Sequence, residues 1–106
     1  MIVINTTFHA QLTIAPDVKK WLAEVYIPGS LKHEHLSSAR LARVLGGDDP
    51  DGISYAVQFE CPTLAAAKHW HDHEGADLRA QMLRRWGQRT LFFTTYLQVV
   101  SLEFKV

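Results

Sequence analysis

From Ile2 to Ile14 the chain alternates between two sets of residues, and that confines it to a strand with one buried face. Ile2, Ile4, Phe8, Ala10, Leu12 and Ile14 fall on one side with Thr6; Val3, Asn5, Thr7, His9, Gln11 and Thr13 fall on the other. Successive side chains of a strand point to opposite faces, so a slip of one residue would turn the whole apolar set outward. Residues 53–61 (ISYAVQFEC) repeat the pattern, with Ile53, Tyr55, Val57, Phe59 and Cys61 inward and Ser54, Ala56, Gln58 and Glu60 outward. Two further strands are expected. In 38–45 (SARLARVL) the inward parity stays open between Leu41/Leu45 and Ala42/Val44. In 91–100, Leu91, Phe93, Leu97 and Val99 are assigned inward beside Thr95.

Helical spacing fills the intervals. Pro16 and Asp17 suit a first turn, and Val18, Trp21, Leu22 and Val25 follow on one stripe. Pro28-Gly29 is expected to break this helix, because proline lacks the donor and clashes with the preceding turn. Residues 30–36 are assigned one further short turn, and GGDDPDG (46–52) a hairpin connection. Thr63 caps a second helix, Gly75 interrupts it, and a third piece carries Leu78, Met82 and Trp86 before Gly87 stops it. The order β-α-β-β-α-β predicts an α+β, ferredoxin-like fold: a four-stranded antiparallel sheet with helices on one face. At 106 residues the whole chain, 1–106, forms one domain.

The sheet's second face then needs a cover. By parity it carries Val3, Asn5, Thr7 and His9, then Ser54, Ala56 and Gln58, then Phe92, Thr94, Tyr96, Gln98 and Val100. A solvated face would hold more Lys and Glu; an uncharged, partly aromatic one reads as an interface. Two copies packed sheet to sheet about a two-fold axis are expected, with Asn5, Thr7, His9, Gln58, Phe92, Tyr96 and Gln98 as interface candidates. Eleven basic residues balance eleven acidic ones, which suits self-association and gives no global basis for nucleic-acid binding. Apolar residues make up 47% of the chain, enough for a core, yet no apolar run approaches the ~20 residues of a membrane helix. Cys61 is the only cysteine, so an intrachain disulfide is excluded. With no basic segment leading into an apolar one at the N-terminus, a soluble cytoplasmic protein is expected.

Several stretches in order carry a wider likeness: "NTT", "WLAEVYIP", "ARLARVL", "SYAVQF", "LRAQMLRRWG" and "FFTTYLQVV". Together they resemble the bacterial family known as domain of unknown function 4286, of dimeric α/β-barrel type. The likeness covers essentially the whole chain. Here Gly29 stands where the family tends to be acidic, and Thr94 where it tends to carry arginine. The resemblance implies the fold, a dimer and a polar set at Asn5, Thr7 and Gln58. It implies no catalytic residue, since the family has no established activity.

KHWHDHEG (68–75) places histidines at 69, 71 and 73. On a helix, at about 100° per residue, His69 and His73 share a face and His71 lies opposite, so the three cannot hold one ion. Two ligands fall short of a zinc site, and neither a metal nor a cofactor is expected. His71 falls within the apolar arc of Leu64, Ala67 and Trp70. With Glu74 it is a candidate pair at a cavity between helix and sheet, lined also by Tyr55, Trp21 and Trp70. Arg79, Arg84, Arg85 and Arg89 read first as cations complementing a helix C-terminus. Two functions remain: a dimeric module that binds a small molecule or partner without catalysis, or a cofactor-independent oxygenase or isomerase using that cavity. The first is preferred, because no acid–base pair is visible. A filled core beneath the helices argues against the second.

Overall fold

The computed structural model describes residues 1–46 and 50–101. Four strands, β1 (Ile2–Gln11), β2 (Ser37–Arg43), β3 (Gly52–Cys61) and β4 (Thr90–Gln98), form one antiparallel sheet in the order β2-β3-β1-β4. The helices are α1 (Ala15–Trp21), α2 (Ile27–Leu31), α3 (Leu64–Asp72) and α4 (Glu74–Trp86). This is the expected ferredoxin-like βαββαβ architecture. The connection expected at 46–52 falls partly on 47–49, outside the described residues.

β1 lies at the centre because its neighbours can use both of its edges. It pairs with β3 from Ile2↔Cys61 to Gln11↔Gly52, and with β4 from Ile2↔Gln98 to Ala10↔Thr90. The alternation read from the sequence appears as strictly alternating burial, with Ile2, Ile4, Thr6, Phe8 and Ala10 inward. The open parity of β2 resolves through its pairing with β3: Ala39, Leu41 and Arg43 lie opposite Phe59, Val57 and Tyr55, on the helix side. Four rings fill the centre. Tyr26 meets Phe8 at 5.0 Å, Phe59 at 6.0 Å and Trp70 at 6.3 Å, and Phe59 meets Trp70 at 5.5 Å. Each such buried ring contributes roughly 2–3 kcal/mol of transfer free energy, and these edge-on and tilted contacts are the arrangements aromatic quadrupoles favour.

Proline does not end the first helix as expected. Leu22–Tyr26 forms a π-helical turn, with the Ile27 N–H bonded to the Leu22 carbonyl, and α2 continues through Pro28. A wider turn ahead of proline relieves the crowding its ring imposes on the preceding turn. The Ser30 hydroxyl donates to the Tyr26 carbonyl at 2.6 Å, a bond that ties the turn to α2. The extra residue in the turn also shifts the inward stripe: Tyr26 is fully buried, while Val25, expected inward, is 39% exposed. The second helical pair breaks at His73, whose backbone lies outside the helical region, not at Gly75; Gly75 lies in the first turn of α4. The Thr63 cap forms as expected, its hydroxyl accepting from the Ala66 N–H at 3.1 Å.

The π-helical turn makes a direct prediction. Tyr26→Ala should lower urea-denaturation stability by about 3–5 kcal/mol, and Val25→Asp should change it by under about 0.5 kcal/mol. Similar losses at both positions would contradict the shifted stripe.

Candidate functional site

The residues that collect unmet polar atoms lie between α3, α4 and the β1–β4 half of the sheet. Arg79, on α4, is only 5% exposed. Its Nη2 donates to the His71 carbonyl at 2.7 Å, which satisfies a last-turn carbonyl of α3. Its guanidinium lies 5.0 Å from the centre of the Phe92 ring, a cation–π contact. Its Nε and Nη1 have no hydrogen-bond partner. Gly75 makes room for it: a Cβ there would lie 2.9 Å from Arg79 Nη1 and 3.0 Å from the Trp70 carbonyl oxygen.

Tyr26 and His71 flank this charge. Burial pushes the Tyr26 phenol up to about 12, against the lowering effect of the nearby Arg79 and Thr6. The phenol is therefore neutral near pH 7, its buried hydroxyl within reach of Arg79 and Thr6. Burial lowers the His71 pKa first and the Arg79 charge lowers it further, while Asp72 opposes both. His71 Nδ1 is buried without a partner, and the ring meets Tyr96 edge-on at 5.9 Å. Across the sheet, the Thr6 and Thr94 hydroxyls hydrogen-bond at 2.9 Å.

The candidate cavity set divides. His71 faces the sheet as its helical position implied. Tyr55, Trp21 and Trp70 are buried among other core side chains, Trp21 against Tyr26 and Trp86. Glu74 does not pair with His71; it turns away, its carboxylate 3.8 Å from His33, beside a surface depression shared with Gly29 and Lys32. A residue three positions on would share the face of His71 in an unbroken helix, but the break at His73 rotates α4 out of that register. His69 and His73 stack at 4.2 Å on the exposed side, and His73 Nδ1 lies 2.7 Å from the His69 carbonyl. Among the described residues no three His, Cys, Asp or Glu side chains gather.

The second feature is the sheet face away from the helices. Asn5, Thr7, His9 and Gln58 lie on it, with Gln58 Nε2 donating to Asn5 Oδ1 at 3.3 Å and His9 Nδ1 2.8 Å from Ser54 Oγ. Phe92, Tyr96 and Gln98, expected there, lie on the other side. The register Phe8↔Phe92, Ile4↔Tyr96 and Ile2↔Gln98 sets them beside the inward residues of β1. The open face instead receives Leu91, Phe93, Thr95 and Leu97, with Leu91 64% and Phe93 63% exposed. Both parities of β4 carry aromatic and aliphatic residues, so hydrophobicity could not choose between them; pairing with β1 does.

A family model described as Domain of unknown function (DUF4286) matches residues 1–100. No curated protein matches the chain. Among solved structures, a candidate antibiotic biosynthesis monooxygenase from Deinococcus radiodurans aligns over 100% of this chain and 99% of its own, with TM-score 0.73 and 11% identity. HapK from Hahella chejuensis aligns over 100% and 99%, with TM-score 0.68 and 11% identity. A dimeric ferredoxin-like protein from an uncultured marine organism aligns over 96% and 98%, with TM-score 0.59 and 14% identity. Likeness at such identity carries the fold and none of the chemistry.

The environment of His71 predicts a pH dependence. Its folded pKa lies below the unfolded value of about 6.5, so below that pH the unfolded chain binds more protons and stability falls. The groups facing it are Arg79 from α4, Asp72 from α3 and Tyr96 from β4. Thermal melts between pH 8 and 5 should show His71→Gln with a shallower acid-side decline than the parent chain. Superimposable slopes would remove His71 as a cause.

Proposed function

The chain belongs to the family described as Domain of unknown function (DUF4286), and we propose that it is a homodimeric, non-catalytic module that binds a ligand or a partner. The observation that carries the dimer is the stripe of Leu91, Phe93 and Leu97, exposed beside uncharged Asn5, Thr7 and Gln58. Apolar side chains on a face of this composition are characteristic of a protein interface. Arg40 and Glu60 bring opposite charges to the same face. The occupant that fits is a second copy of this face, related by a two-fold axis. A dimeric protein of the same fold, from an uncultured marine organism, supports that choice.

The absence of catalysis is supported by the separation of Glu74 from His71. No described helix is long and apolar enough to cross a membrane. A cytoplasmic setting fits a chain whose single cysteine, Cys61, is buried and free.

Sedimentation velocity at ~20 μM, well above a typical Kd for such an interface, should give twice the 12.0 kDa chain mass. Phe93→Asp should give monomers that keep the parent far-UV circular dichroism, because a charge would be buried unpaired only in the dimer. A parent chain that sediments as a monomer, or a dimeric Phe93→Asp, would overturn the sheet-to-sheet dimer.

A further inference from the structure

We propose that Arg40 of each copy pairs with Glu60 of the partner subunit across the open sheet face, so that two reciprocal ion pairs set the register of the dimer. This arrangement rests on the sheet-to-sheet dimer proposed above and adds where its two-fold axis runs.

Charge is scarce on that face. Along the four strands, among the described residues, its only Lys, Arg, Asp or Glu side chains are Arg40 on β2 and Glu60 on β3. Arg40 lies opposite Gln58, two residues short of Glu60 on the same side of the sheet. Both line one depression of about 250 Å³ with Val3 and Gln58. Yet neither side chain has a hydrogen bond or an ion pair among the described residues.

Left in water, such charges need no partner. Covered by a second sheet, each would be desolvated at a cost unless an opposite charge met it. A covering copy of the same chain supplies that charge, because it brings the same two residues. The two-fold axis makes the contact reciprocal: where Arg40 reaches the partner's Glu60, Glu60 reaches the partner's Arg40.

The pairing also locates the axis. An axis that turns one sheet over onto another lies between the two sheets, and it crosses the line from Arg40 to Glu60 midway and at a right angle. With strands ~4.8 Å apart and ~3.4 Å per residue, it then passes β1 near Asn5 and reaches β4 near Phe93 and Thr94. Phe93, 63% exposed, meets its own counterpart there. Leu97 falls over the partner's Ala42 and the partner's Ala56, a large apolar side chain over two small ones. These apolar contacts follow from the charge pairing alone, without being imposed on it.

Charge reversal tests the pairing on the full chain. Sedimentation velocity over a dilution series, with far-UV circular dichroism to confirm folding, should show Arg40→Glu and Glu60→Arg each dimerising at least about a hundredfold more weakly than the parent. Each of those homodimers would set like charges against each other twice. Mixed in equal amounts, the two variants should recover near-parent affinity, and native mass spectrometry should identify dimers with one copy of each. A second mixture keeps the test open if a single variant fails to fold. The chain with both reversals should dimerise like the parent but form no mixed dimer with it, since that combination again opposes like charges.

Parent-like affinity in the single variants, no mixed dimer between them, or free mixing of the parent with the doubly reversed chain would each overturn the proposal. Pairing of Arg40 with Glu60 inside one copy would give the last two results. If the single variants dimerise like the parent while Phe93→Asp is monomeric, only the register falls and the dimer stands. A parent chain that stays monomeric removes both.

Discussion

The pairing of β1 with a strand on each side is the interaction on which the other placements depend. Because side chains alternate along a strand, fixing Ile4 opposite Phe59 and Tyr96 fixes every face of β3 and β4 at once. One face then collects Phe8, Val57, Phe59 and the rings of Tyr26 and Trp70. The other collects a polar centre of Asn5, Thr7 and Gln58, bordered on β4 by Leu91, Phe93 and Leu97. The proposed dimer follows from that second face, while on the first α4 brings Arg79 against Phe92 of β4.

The helix layer depends on two local departures from regular geometry, each with a physical cause. A π-helical turn before Pro28 keeps the first helix continuous and brings Tyr26 inward. The break at His73 lets α4 start afresh, with Gly75 close enough to Trp70 that only a residue without Cβ fits comfortably. Both departures serve the same place. They set a phenol and a guanidinium side by side at the centre of the domain, under a histidine whose carbonyl Arg79 binds.

Most of the architecture was legible because it rests on period-two and 3.6-residue patterns. The strands of β1 and β3, the Thr63 cap and the Gly87 stop needed nothing beyond local chemistry. The parity of β4 was not legible, since Leu91, Phe93 and Leu97 form the stronger apolar set and yet face away from the helices. Where an outward face is itself adhesive, the rule that the more apolar side points inward loses its force, and that failure is consistent with a functional surface. Tyr26 escaped notice because the wider turn that buries it follows from tertiary packing. Arg79 did leave a signal: Gly75, Arg79, Met82 and Trp86 share helical spacing, so one arginine stood within an apolar stripe. Its grouping with the exposed Arg84 and Arg85 hid it. Glu74 was misplaced for a related reason, the unbroken helix assumed between it and His71.

In the proposed dimer the open sheet face is covered by a second copy of itself. Hydroxyl-radical footprinting read by mass spectrometry tests this on the unmodified chain, across a dilution series from tens of micromolar downward. The isolated chain leaves Phe93 and Leu91 widely exposed. Both should be protected at high concentration and gain reactivity together on dilution, while Phe92 on the helix side changes little. Reactivity of Phe93 at the level of a freely exposed phenylalanine at every concentration would contradict it.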